Sequence, residues 1–181
     1  MVRDELGTCR STRGFQAIIL PSIGNMVFVS LIFVLAVSSA QGLLGDGDTA
    51  YHIRTGEVIL QTLQVPTHDP YSLHSPPLPW TAHEWLSEVI MATLFRAFGL
   101  TGVVIFFAVL LSLTHWLLFQ SLRLRFNDIF LCVVITLVAT ASSSIHWLAR
   151  PHAFSLLFVV IWCHCLDQFQ RTNRNALLSL P

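Results

Sequence analysis

The feature that most constrains this chain is a series of apolar runs long enough to cross a bilayer. Residues 17–40, 102–121 and 129–148 are each almost free of charge. Each reaches the roughly 20 residues that a helix rising about 1.5 Å per residue needs to cross about 30 Å of hydrocarbon. A fourth run, residues 152–166, is short and must draw on flanking residues such as Gln168 and Phe169. Residues 85–98 are apolar too, but they carry Glu88 and Arg96 and are too short to span, so they read as an amphipathic helix lying in the interface. The expected fold is all-α: a polytopic transmembrane bundle of about four spans, with a long first loop, residues 41–101, carrying two short interfacial helices.

Composition agrees, since 54% of residues are hydrophobic and only 11% charged, against about a quarter charged in a soluble domain. Formal net charge is zero and every basic residue is Arg, so no basic tract points to nucleic acid. If residues 85–98 do not span, Arg3, Arg10, Arg13, Arg123, Arg125, Arg171 and Arg174 share one side and Arg54, Arg96 and Arg150 the other. That bias puts the N-terminus in the cytoplasm and residues 41–101 outside. If they do span, the Arg residues divide evenly. The expected organisation is a cytoplasmic tail at 1–14, a transmembrane domain at 15–175, and at 176–181 the start of a further, truncated apolar segment. The first run also has the form of a secretory signal peptide, with Ser38, Ser39 and Ala40 as a small-residue cleavage site. In a multispanning protein an uncleaved first helix is the reading adopted.

The polar residues gather at one face. His52, His68, His74 and His83 lie in the first loop, and His146 and His152 near the same end of the third and fourth spans. Imidazole and carboxylate are common ligands of divalent metals, and the loop also holds Asp46, Asp48, Asp69 and Glu84. No spacing such as H-E-x-x-H singles out one set, and a water-facing loop holds polar residues anyway. Cys163 and Cys165 flank His164, but residues two apart on a helix point to different sides.

Structural roles are available for each acid. Thr81 and Glu84 have capping-box spacing at the start of the interfacial helix. Asp69 sits among Pro66, Pro70, Pro76, Pro77 and Pro79 and reads as a turn residue. Asp48 reads as the N-cap of a helix from Thr49 to about Leu63. One cap needs one acceptor, however, and "LLGDGDTAYHIRTGEVIL" supplies two acids, Asp46 and Asp48, whose charges can converge on a cation or an acceptor hydroxyl. Tyr51, Tyr71, Trp80, Trp85 and Trp147 suit an interfacial aromatic belt.

The chain order is a span, acids at its outer end, a short helix, a Pro-rich segment, an interfacial helix and a span ending in Arg. It resembles the N-terminal part of the GT-C membrane glycosyltransferases, which include dolichyl-phosphate-mannose protein mannosyltransferases and bacterial aminoarabinose transferases. Those enzymes have an acidic first-loop motif, often D-E-A-Y-Y, and a downstream H-P-P-L element. Here "DTAYH" (residues 48–52) and "HSPPL" (residues 74–78) stand in the same order. "HWLARPHAFSLLF" resembles the later region where an Arg precedes a Pro, so the likeness covers residues 15–171. Two departures stand out: Thr49 replaces the second acid of the pair, and His152 stands where an acid often follows the Pro.

The resemblance implies a polyprenyl-phosphate-linked sugar donor, a lipid or glycan acceptor, and transfer with inversion at the outer face of a bacterial inner membrane. Asp48, with Asp46, would be the catalytic acid pair, Asp48 taking the acceptor proton. Arg54, Tyr51, His74 and Arg150 would bind substrate, the Arg residues supporting the leaving phosphate with bidentate hydrogen bonds. A divalent metal, if used, would fall to His52, His152 and His83. The rival readings are a transporter subunit, for which the spans offer few ionisable residues beyond His115 and His164, and a non-enzymatic scaffold.

Overall fold

The computed structural model describes residues 42–172 together with Met26, Phe28, Ser30, Leu31 and Val34. Most of the first apolar run, the tail at 1–14, the signal-peptide alternative and the segment at 176–181 lie outside the described residues. Among the described residues four main helices build the fold: α1 (Asp48–Thr62), α2 (Trp85–Arg125), α3 (Ile129–Ser143) and α4 (His152–Thr172), with a 3-10 turn at Ser144–His146. No β-strand occurs among the described residues. Among the described residues three stretches are long and apolar enough to cross a membrane: Trp85–Arg125, Ile129–His146 and His152–Gln170.

α2 is the hub against which α1, α3 and α4 all pack. Its 41 residues are two helices joined at Gly99, where φ 65° and ψ −163° give a conformation that is essentially Gly-only. The break separates the short helix expected at 85–98 from the span that follows. α4 runs parallel to α2, since Phe107 meets Phe154, Ser121 meets His164 and Arg125 meets Asp167 in ascending register. The Arg125 Nε to Asp167 contact, 2.9 Å, ties the C-terminal ends of the two helices together. The fourth span draws on its flanking residues as expected: α4 continues past Gln168 and Phe169, through Asp167, which is buried against its Arg partner. Phe28, from the first apolar run, lies with its ring centroid 6.3 Å from that of Trp116 on α2.

The core is apolar and centred on α2: Met91, Val103, Phe107, Ala108 and Leu111 are buried with Leu43, Ile53, Ala149 and Ala153. By contrast Phe130, Leu137 and Val138 on α3 and Val159 and Trp162 on α4 are exposed, as expected of helix faces turned to lipid.

Two cap assignments need correction. α1 begins at Asp48 itself with Gly47 at the cap position and no side-chain cap. The Asp48 carboxylate is held elsewhere by Arg150, so the local cap loses to a longer-range, doubly charged interaction. Nor do Thr81 and Glu84 form a capping box: Glu84 occupies the cap position of α2 with no side-chain cap bond. Its carboxylate faces His52 instead, 3.8 Å away. Asp69 behaves as expected, accepting from the Tyr71 and Ser72 amides at 2.9 and 3.3 Å. These bonds hold its carboxyl below the usual carboxylate range.

Candidate functional site

The polar residues of the first loop are assembled by one close helix crossing. A Cβ on Gly56 would lie 2.0 Å from the Glu88 carbonyl oxygen and 2.8 Å from the Ala92 Cβ. Only a glycine lets the α1 backbone approach α2 this closely. Because α1 crosses there, its preceding turn, with Tyr51 and His52, is set beside the first turn of α2.

The segment between α3 and α4 closes over the start of α1. The Ala149 amide donates to the Leu43 carbonyl at 2.8 Å, and the Thr49 hydroxyl donates to the Ala149 carbonyl at 3.2 Å. Ala149 is fully buried between these bonds, which fixes the next residue, Arg150, over the acidic turn. Its guanidinium bonds the Asp48 carboxylate at 2.6 Å and also contacts the Asp46 carboxylate. Asp46 reaches back as well, accepting from the Asp48 amide at 3.2 Å. The Arg150 Nε is buried without a hydrogen-bond partner, whereas the Asp48 side chain remains 60% exposed. Residues about a hundred positions apart thus share one charged junction.

A second junction lies one turn further along α1. His52 Nδ1 is 3.1 Å from Glu88 Oε1 and 3.8 Å from Glu84 Oε2. The side chain of Glu88 is only 2% exposed, and its Oε2 is buried with no hydrogen-bond partner. Such a buried, unsatisfied carboxylate oxygen is costly and rare. Beside it, Tyr51 packs edge-on to Tyr71 and Trp80 with centroids 5.1 and 6.2 Å apart. The Tyr71 hydroxyl lies 2.8 Å from the oxygen of buried Thr55. Burial, and next the nearby Glu88 charge, push the Tyr51 phenol above its ordinary value. These rings anchor the Pro-rich segment on α1. That segment is pinched by backbone bonds from Asp69 to Leu78 and from Trp80 to Thr67, at 2.9 and 3.0 Å.

Of the residues singled out from sequence, Asp46, Asp48 and Arg150 meet in the first junction and His52, with Tyr51 in ring contact, belongs to the second. Arg54 does not join either: it is exposed and pairs with Glu57 at 3.0 Å, three residues along its own helix. His74 is exposed, its Nδ1–H donating to the Pro76 carbonyl at 2.7 Å. His152 donates from Nε2 to the His146 carbonyl at 2.7 Å, and His83 is exposed on the loop. The group of metal-ligating atoms that does converge contains His52 with Glu84 and Glu88 rather than with His83 or His152. Sequence reasoning passed over Glu88 as a charge that argued against a span. The signal available was its i,i+4 spacing from Glu84, which puts both carboxylates on one helix face.

No family model matches the chain, and neither a curated protein nor a solved structure matches it.

Proposed function

We propose that the chain is the N-terminal part of a membrane glycosyltransferase similar to the GT-C enzymes, moving a sugar from a polyprenyl-phosphate donor to an acceptor hydroxyl with inversion. The observation that carries this reading is the junction of Asp46 and Asp48 with Arg150. It joins the acidic motif of the first loop to the Arg that precedes the last described span, two of the three regions on which the resemblance rests. Helices apolar enough for a bilayer flank the junction, so a lipid-linked donor could present its phosphate there.

In this reading Asp48 is the general base. Its exposed carboxylate takes the acceptor proton as the hydroxyl attacks the anomeric carbon from the face opposite the phosphate, and the carbon–oxygen bond to phosphate breaks. Arg150 pairs with the Asp48 carboxylate in the resting state and receives the leaving phosphate, its fork suited to either carboxylate or phosphate oxygens. The junction then faces the outer side of a bacterial inner membrane, with the N-terminus in the cytoplasm.

A second reading has its own observation. Arg150 bridges both acids, and the Thr49 and Ala149 bonds beside it complete a clasp between α1 and the α3–α4 connection. A scaffold needs nothing more. The chain reconstituted in lipid nanodiscs with a radiolabelled polyprenyl-phosphate hexose should release polyprenyl phosphate in the presence of a glycan or lipid acceptor. Absence of both donor binding and release over a panel of such sugars would favour the scaffold.

A further inference from the structure

The second junction contains a contradiction if only protein atoms are counted. Two carboxylates face one imidazole, and the more deeply buried of them, Glu88, keeps an oxygen with no donor. A neutral His52 can give one proton to one of the two acids, and even a protonated one offers a single N–H from Nδ1. The arrangement is short of positive charge.

We propose that His52, Glu84 and Glu88 form a three-ligand site for a divalent transition-metal ion, zinc by the chemistry of its donors, with a coordination position left open. His52 Nδ1 and one oxygen from each carboxylate lie within 4.8 Å of one another. A tetrahedral zinc ion with bonds of about 2.0–2.1 Å has ligand atoms about 3.3 Å apart along each edge. The distances from His52 Nδ1, 3.1 Å to Glu88 and 3.8 Å to Glu84, straddle that value. Imidazole with carboxylates is a donor set for zinc, and three protein ligands with a vacant fourth position characterise catalytic rather than structural zinc sites.

The scaffold around the site is stiff where stiffness helps. Gly56 locks α1 to the Glu88 backbone, fixing the relation of His52 to Glu88. Glu84 is 51% exposed at the helix start and is free to move toward the other two ligands. This proposal stands apart from the transferase reading, since metal binding is measured without a sugar donor.

The test uses the full chain in detergent, stripped with a chelator and titrated with zinc against a chromogenic competitor. The site predicts about one tightly held equivalent per chain, with only nitrogen and oxygen neighbours at the zinc absorption edge. Glu84→Ala should weaken binding about tenfold or more while leaving the melting temperature of the metal-free protein unchanged, because Glu84 is half exposed. His52→Ala should do the same to affinity, and Glu88→Gln substitutes for Glu88→Ala should the latter not fold. No stoichiometric binding, equal affinity in Glu84→Ala, or sulfur neighbours indicating Cys163 and Cys165 would overturn the site and leave His52 as a simple ion-pair partner.

Discussion

The two charged junctions on α1 sit one helical turn apart yet solve the same problem differently. At Asp46 and Asp48, two carboxylates are bridged by an Arg whose charge is permanent, one of its guanidinium nitrogens contacting both. At Glu84 and Glu88, two carboxylates share a single imidazole and one oxygen goes unbonded. The first pair is half open to water, where residual mismatch is screened. At the second, Glu84 is half exposed as well, but Glu88 is closed off by the Gly56 crossing, where a mismatch is not screened. A carboxylate pair bridged by a permanent cation holds a fold together, whereas a buried carboxylate oxygen with no donor invites a ligand.

The comparison breaks most readily at the crossing both junctions depend on. Gly56→Ala must push α1 off the Glu88 carbonyl, which a Cβ would meet at 2.0 Å. Overpacking of this kind costs about 1–3 kcal/mol, and here the obstacle is backbone, so the upper end or failure to fold is expected. Thermal melting in detergent checks it, and a wild-type melting temperature would mean that the helices do not cross so closely.

Arg150→Ala comes next. It leaves Asp46 and Asp48 facing each other without a cation and should cost about 1–3 kcal/mol, within the range for stranding charged partners and reduced by their partial exposure. The double variant with Asp48→Asn should recover part of that loss. Additive costs would show that Arg150 and Asp48 are not coupled.

A smaller effect is expected from Thr49→Val, which keeps the buried volume but removes the bond to the Ala149 carbonyl, for about 1 kcal/mol. The loss should fall on the α3–α4 connection, and faster amide exchange at Ala149 reads it directly.

Smallest is the titration of Tyr51. Its phenol is held above the ordinary range by burial and then by Glu88, so the neutral form is favoured in the folded state. The stabilisation is present at neutral pH and disappears as pH rises through the raised value, so it bears only on strongly alkaline solution. Ultraviolet titration should show the Tyr51 phenolate forming later than a solvent tyrosine, and sooner in the presence of zinc if the metal offsets the Glu88 charge.

How much of this was legible in the sequence follows from the range of each interaction. Apolar runs report on the solvent of each helix residue by residue, so α3 and α4 begin where the pattern puts them, at Ile129 and His152. Asp128 caps α3 by accepting from the Phe130 and Leu131 amides, another local signal. The cap expected at Asp48 and the box expected of Thr81 and Glu84 failed because the Asp48 and Glu84 carboxylates are contested. Arg150, about a hundred residues away, captures Asp48, and His52 draws Glu84. Arg150 was legible as a partner for the first loop only through the resemblance. The pairing of His52 with Glu88 was not legible at all, since it depends on where α1 crosses α2, and a single glycine in the sequence does not disclose its partner backbone.

The central claim is that Asp48 does chemistry and does not merely hold the fold. Sugar transfer from polyprenyl phosphate should be measured for the chain and for Asp48→Asn at matched amounts of folded protein, in nanodiscs. Asn keeps the shape and one acceptor oxygen beside Arg150, so the melting temperature should fall only slightly, by the loss of one exposed ion pair. Turnover should nevertheless drop by about two orders of magnitude or more, as expected for removal of a general base, with donor binding retained. Equal turnover in the two proteins would contradict the claim and leave the Asp48 and Arg150 pair as a clasp between helices.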